Sequence, residues 1–256
     1  MIVNFNDEIV LVTGSSRGIG LSIAYHFAKA GATVILNGVH NKDALDQATT
    51  SFKEESLKVY SFLGDVSEYT TAKALFDFIY TELGSYPTIV INNAGISHVG
   101  LFTDTTPDIW HKVMEINMTS AYNCSHLAVP SMISQHKGCI INISSIWGNV
   151  GASCEVAYST SKSALNGFTK ALAKELGPSN IRVNAISCGW IDTDMNLEMD
   201  EEYKKSLGVF LTPEEVAKVV YDVSIDESVN DTVIRVGDNS VCLLYTSPSP
   251  RDKRQS

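Results

Sequence analysis

Seven short runs of apolar, mostly β-branched residues punctuate this chain, at positions 9–12, 33–36, 58–63, 88–91, 139–143, 181–186 and 232–236. Between them apolar residues fall at helical spacing, near 18–30, 42–56, 69–83, 107–136, 158–176 and 212–222. Strands that are apolar at nearly every position are covered on both faces, and their alternation with helices predicts a parallel sheet. Right-handed crossovers then make a doubly wound sheet, with its ligand crevice at the carboxyl ends of the strands. The expectation is an α/β fold: one doubly wound parallel sheet of about seven strands, in a single domain over residues 1–240.

Composition narrows the function classes. A chain of 256 residues, 44% of them hydrophobic, can bury a large core as one α/β domain. A net charge of −10 argues against nucleic acid or an anionic membrane as partner. Five cysteines (Cys124, Cys139, Cys154, Cys188, Cys242) lie scattered with no CxxC pair, as reduced thiols of a cytoplasmic protein would. The first eight residues carry no basic, apolar leader pattern, and no run approaches the ~18 apolar residues of a membrane span. The six histidines show no paired ligand spacing, so no metal is expected. Residues 241–256 turn abruptly basic and proline-bearing, which reads as a disordered or non-native tail.

The chemistry concentrates in a few segments. Tyr158 and Lys162 are four apart on a predicted helix, so phenol and ammonium share a face. A cation beside a phenol favours phenolate and lowers a pKa that is ordinarily ~10, which predicts a usable proton donor or acceptor. Ser145 lies thirteen residues before Tyr158. Near the N-terminus Thr13-Gly14-Ser15-Ser16-Arg17-Gly18-Ile19-Gly20 links an apolar strand to an amphipathic helix. Glycines there allow positive φ and close backbone approach, and the helix N-terminus presents free N–H groups to a pyrophosphate. Asp65-Val66, Asn92-Asn93-Ala94-Gly95, Ser144-Ser145 and the stretch from Gly189 through Ile191 to Thr193 all follow predicted strands, on the same rim.

Taken together and in this order, these pieces with Asn117 resemble the short-chain dehydrogenase/reductase family over roughly residues 5–240. The resemblance implies a Rossmann-type fold, an oxidoreductase acting on CH–OH/C=O, and a homo-oligomer. It also implies a tetrad of Asn117, Ser145, Tyr158 and Lys162. In that tetrad Tyr158 donates a proton to the alkoxide, Ser145 orients the same oxygen, and Lys162 lowers the phenol pKa and binds the nicotinamide ribose. Asn117 holds a water behind the lysine. Cofactor contacts would come from Gly14, Ser15, Ser16, Arg17, Gly18, Ile19, Gly20, Asn37, Asp65, Val66, Asn93, Ala94, Gly95, Tyr158, Lys162, Gly189, Ile191 and Thr193. An idle dinucleotide-binding sensor or scaffold would ordinarily have lost the tyrosine or the lysine, and all four positions are filled here.

Three segments depart from the family pattern. Cys188-Gly189 replaces the usual Pro-Gly, the segment between Met195 and Thr212 is short and charged, and Val236-Gly237-Asp238-Asn239-Ser240 lacks the usual Asp-Gly-Gly. The end of the second strand, Leu36-Asn37-Gly38-Val39-His40, has no carboxylate to repel a 2′-phosphate. With Arg17 in the glycine turn and Asn37 as a donor, the expected cofactor is NADPH rather than NADH. General resemblance to 3-oxoacyl-acyl-carrier-protein reductases implies a carrier-bound ketone substrate. Those relatives dock their acidic carrier on basic residues, and at the corresponding places, 134–139 and 177–180, only Lys137 is cationic. The segments 144–148 and 151–158 resemble instead the elongation factor P 5-aminopentanone reductases, and Glu155 is placed to pair an amine-bearing, protein-bound substrate.

Overall fold

The seven apolar runs become seven parallel strands in a computed structural model that describes residues 5–193, 210–237 and 242–244. They are β1 (Ile9–Val12), β2 (Thr33–Gly38), β3 (Val59–Leu63), β4 (Ile89–Asn92), β5 (Gly138–Ser145), β6 (Ile181–Cys188) and β7 (Val233–Val236). A short eighth strand, β8 (Cys242–Leu244), pairs antiparallel with β7. The order across the sheet is β3-β2-β1-β4-β5-β6-β7-β8, so the winding reverses between β1 and β4. That reversal opens a crevice at the carboxyl ends. Three residues assigned from sequence to the tail therefore extend the sheet; residues 245–256 lie outside the described residues.

Both faces of the sheet are covered, which is why the strands lack polar alternation. Val10, Val12, Val34, Leu36, Ile141 and Ile143 pack on one face with α1 (Gly18–Lys29), α2 (Lys42–Glu54) and the last helix, α8 (Pro213–Ile225). Leu11, Ile35, Val90, Ile140 and Val183 pack on the other, with α3 (Tyr69–Leu83), α5 (Ser120–Gln135) and α7 (Val156–Leu176). The fully buried Leu and Ile side chains each stabilise the fold by about 1.5–3 kcal/mol relative to exposure. The four cysteines with described side chains, Cys124, Cys139, Cys154 and Cys188, are free thiols. No helix among the described residues is long and apolar enough to cross a membrane.

The helix expected over 107–136 and the ends of β5 and β6 differ from the sequence expectation, for local reasons. The helix expected over 107–136 is divided into α4 (Pro107–Met114), a π-turn (Glu115–Thr119) and α5. A π-turn inserts one residue into the helical repeat, and here it carries the buried Asn117. β5 and β6 run past their apolar residues to Ser145 and Cys188, because the ladder continues through the pairs Ser144↔Ser187 and Ser145↔Cys188. Hydrophobicity alone ends those strands two residues too soon.

At the far end of the sheet, Arg182 on β6 gathers the last carbonyls of α8. Its guanidinium donates to the carbonyl oxygens of Val223, Ser224, Asp226 and Val229. Helix C-termini leave such acceptors without intrahelical partners, and a cation there also opposes the helix dipole. Arg182→Ala is expected to lower stability by about 2 kcal/mol and the melting temperature by roughly 4–8 °C. Thermal unfolding followed by circular dichroism checks this, and an unchanged Tm would show that solvent replaces the guanidinium.

Candidate active site

The crevice is built by hydrogen bonds between the first turn and the end of β4. Thr13 Oγ1 accepts from the N–H groups of Asn93 and Ala94, each at 3.0 Å. Asn93 Nδ2 donates in return to the carbonyls of Thr13 (2.9 Å) and Gly14 (3.0 Å). This lacing leaves no room for side chains on the turn. A Cβ on Gly14, where φ is +61°, would lie 2.9 Å from Ala94 Cα, and one on Gly20 would lie 2.5 Å from Asn93 Nδ2. The first turn of α1 carries no acidic residue and no side-chain cap, so its N–H groups and positive dipole end face the crevice unopposed. Across from it, Thr193 Cγ2 lies 3.7 Å from the Cβ position of Gly18. Ile191 forms a bridge with Leu211, which brings the chain back to the rim after residues 194–209. The charged residues of the segment between Met195 and Thr212 fall in that span, outside the described residues.

The other expected cofactor contacts divide. Asp65 stands at the rim after β3, where its Oδ1 accepts from Ser67 N (2.9 Å) and Ser67 Oγ (2.7 Å). Asn123 Nδ2 fixes the same turn through the carbonyls of Val66 (3.0 Å) and Ser67 (2.8 Å). Gly189 is held at the end of β6 by its N–H on Val236 O at 2.7 Å. Asn37 does not take the place expected of it. It is fully buried, and both amide hydrogens are engaged by the carbonyls of Phe62 (3.2 Å) and Gly64 (3.0 Å). It ties β2 to β3 and offers no donor to a phosphate. Gly38, which has no side chain, follows it.

The four residues expected to act together do meet. Lys162 Nζ and Asn117 Oδ1 both lie 3.3 Å from the Cβ position of Gly95. The Lys162 ammonium stands 5.7 Å from the centroid of the Tyr158 ring, and the Ser145 hydroxyl is near enough to the Tyr158 phenol to favour its ionised form. Asn117 has a larger structural task than the sequence suggested. Its amide exchanges two hydrogen bonds with the backbone of Ile96 (2.8 and 2.9 Å), and Nδ2 donates a further one to Ser161 Oγ at 2.9 Å. It thereby joins the β4 loop to α7.

The electrostatics correct one expectation. Burial pushes the Tyr158 phenol above its ordinary value of 10, and the Ser145 hydroxyl offsets only part of this. Lys162 does not pull the phenol down, because the same burial lowers the lysine itself from 10.5 to about 8. Its Nζ donates to the Ile143 carbonyl at 2.9 Å. Near neutral pH the site therefore holds a protonated phenol beside a lysine whose charge is weakly favoured. Cys188, standing where relatives have proline, borders both groups, and burial pushes its thiol up to about 12.

Sequence reasoning missed the walls of the crevice. Trp147, two residues beyond Ser145, meets Trp190 edge to face at 5.8 Å, and Trp190 stacks on Phe210 at 5.8 Å. Each Trp directly follows a strand end already marked as functional, and that adjacency was the available signal. Opposite, Glu155 accepts from Ser97 Oγ at 3.0 Å, and partial burial raises its carboxyl.

A family profile described as short chain dehydrogenase matches residues 8–204. The 3-oxoacyl-acyl-carrier-protein reductase of Aquifex aeolicus is 40% identical over 227 residues, covering 86% of this chain and 91% of the relative. The enzyme of the same description from Chlamydia trachomatis is 38% identical over 231 residues, covering 87% and 92%. Among solved structures, a gluconate 5-dehydrogenase from Burkholderia cenocepacia in complex with NADP and tartrate superposes with a TM-score of 0.85. It is 26% identical, and the match covers 91% of this chain and 94% of that one.

The buried lysine makes a stability prediction that is independent of any activity. Its folded pKa of about 8 lies below the ordinary 10.5, so the unfolded chain binds the proton more tightly. Stability then rises with pH between those values, and below about 8 the buried charge is a standing penalty. Lys162→Met should be more stable than wild type at pH 7 by about 2 kcal/mol, after allowing for the lost bond to Ile143. The difference should shrink as pH rises from 8 towards 10.5. Melting curves across that window decide it; a pH-independent difference would mean that burial does not control the lysine.

Proposed function

The chain belongs to the short-chain dehydrogenase family, and we propose that it reduces a ketone to a secondary alcohol using NADPH. The observation that carries this reading is the half-buried Tyr158 phenol beside Ser145, with the buried Lys162 ammonium 5.7 Å from its ring. The backbone N–H groups of residues 14–20, with Asp65, Val66, Asn93, Ala94, Gly95, Gly189, Ile191 and Thr193, would hold the dinucleotide. When bound, it supplies a hydride to the carbonyl carbon. Ser145 Oγ donates a hydrogen bond to the ketone oxygen and orients it, and Tyr158 Oη delivers the proton that completes the alcohol. The Lys162 ammonium, 5.7 Å from the phenol ring, stabilises the phenolate and returns its proton, and Asn117 would hold the water that links the lysine to solvent. Tyr158→Phe should reduce turnover by a factor of at least about 10³ while dinucleotide binding persists, because those contacts spread along the whole rim. Cofactor absorbance and fluorescence titration measure the two separately. Retention of more than a tenth of the wild-type rate would remove Tyr158 as proton donor.

The preference for NADPH rests on Arg17, exposed at the start of α1, and on the bare Gly38 that ends β2 with no carboxylate. A guanidinium pairs phosphate in a charge-assisted, bidentate manner. Arg17→Ala should raise the KM for NADPH by roughly tenfold or more and leave that for NADH nearly unchanged. Equal changes would rule out recognition of the 2′-phosphate.

For the ketone, similarity to the carrier-protein reductases supports a β-keto thioester. A second reading, reduction of an aminopentanone carried by elongation factor P, is favoured by Glu155, whose carboxyl is near enough to Tyr158 to raise the phenol and would suit an amine. The one basic residue suited to an acidic carrier, Lys137, is paired with Glu8. Turnover of acetoacetyl-acyl carrier protein should be compared with that of aminopentanone-modified elongation factor P. Salt-sensitive turnover of the first alone is the outcome expected of the carrier reading; turnover of the second, lost in Glu155→Gln, would replace it.

A further inference from the structure

An exposed side chain, that of Asn149, ties the rim after β5, which carries Ser145, to β6 and to α7. Asn149 donates from Nδ2 to Ser187 Oγ on β6 at 2.7 Å. Its Oδ1 accepts from Asn166 Nδ2 on α7 at 2.9 Å. Asn166 Nδ2 also reaches the Gly148 carbonyl at 3.2 Å, which accepts a further bond from Ser163 Oγ at 2.8 Å. Ser187 is 0% exposed and Asn166 8%, so the side chain that bridges them gives a partner to two buried polar side chains. The turn held in this way is α6 (Trp147–Val150), four residues long. A helix of one turn cannot sustain itself and takes its position from such contacts.

What α6 carries gives the bridge its consequence. The N–H of Trp147 donates to Ser145 Oγ at 3.2 Å, and the Trp147 ring meets Trp190 beyond the end of β6. We propose that Asn149 is a positioning residue: through α6 it sets the Ser145 hydroxyl and the Trp147–Trp190 wall against the ketone. The inference rests on the ketone-reduction reading for its effect on rate. The bridge itself does not.

The test uses the full chain as Asn149→Ala, Asn166→Ala, their double variant and Asn149→Asp. Asn149→Ala should lower kcat/KM for the ketone roughly tenfold or more, as small displacements of positioning groups do. The KM for NADPH should stay within about twofold, since most of the cofactor contacts lie on the rims after β1, β3 and β4. The double variant should be no worse than the poorer single one, because both remove the same bridge. Asn149→Asp should recover most of the loss: a carboxylate accepts from Asn166 Nδ2, and the Ser187 hydroxyl can turn to donate. Near-ultraviolet circular dichroism of the Trp147–Trp190 pair should change in Asn149→Ala and return in Asn149→Asp, with or without turnover. Wild-type kcat/KM in Asn149→Ala, or equal losses for ketone and cofactor, would overturn the proposal, as would an unchanged dichroism spectrum. If the wild type reduces no ketone tested, the dichroism series still decides the bridge, and only the functional reading fails.

Discussion

The seating of α7 on β5 is the contact on which the rest of the site depends. It leaves no clearance: a Cβ on Gly148 would lie 2.7 Å from the Lys162 carbonyl carbon, so α6 can pass over α7 only at a glycine. The helix buries polar groups, Ser159, Ser161, Lys162, Asn166 and Thr169, among the apolar Ala157, Leu165, Ala173 and Leu176. Polar burial is unfavourable unless each group is bonded. Here Lys162 Nζ is bonded to Ile143 O, Ser161 Oγ to Tyr158 O, and Thr169 Oγ1 both to Leu165 O and to Asn142. The apolar residues supply the attraction that holds the polar ones in place. A lysine with no carboxylate partner is a liability for folding, and its lowered pKa records how much the surrounding packing has to offset.

A second constraint follows from the geometry of a parallel sheet. Where strands stop, their backbone groups lose ladder partners, and the crevice is made of those ends. Asparagine, with donor and acceptor on one short side chain, recurs at these points. Asn92 donates to Asn142 in the neighbouring strand (2.8 Å) and to Ser125 on α5 (3.1 Å). Asn93 binds the glycine turn, Asn117 the β4 loop, and Asn123 the turn after β3. Asn93, Asn117 and Asn123 each bond backbone groups beyond a strand end with the side chain and fix a loop as they do so. The rim can then consist of loops and still hold groups within hydrogen-bond tolerance.

The sheet was legible because apolar runs with no alternation have one physical reading, burial on both faces, and each of the seven became a parallel strand. The glycine turn and the Tyr158–Lys162 pair were legible because their spacing follows from helix and turn geometry. Three things were not, and each depends on neighbours far away in the chain. Asn37 looked like a free donor beside the crevice; pairing of β2 with β3 turns its amide onto Phe62 and Gly64. Tyr158 looked like a lowered phenol because the cation is four residues away. The burial that brings the two together also weakens the cation. The polar ends of β5 and β6 looked like loop, since only their partner strand shows that the ladder continues.

That coupling of burial to charge bears on the direction in which such a site works. One desolvated pocket raises the phenol and lowers the ammonium, so both groups lean towards their neutral forms. A neutral phenol holds the proton that a newly formed alkoxide needs, whereas alcohol oxidation begins with its removal by phenolate. At neutral pH the resting protonation state therefore matches the reduction proposed, and oxidation would first have to extract a proton against the desolvation of Tyr158. Lys162 bears on both through its distance and its own titration: charged, it stabilises the phenolate left after proton transfer; neutral, it does not. With its pKa near 8, that help is already weakening just above neutrality. The same pocket thus stores the proton for reduction and limits the pH range over which the lysine assists its release.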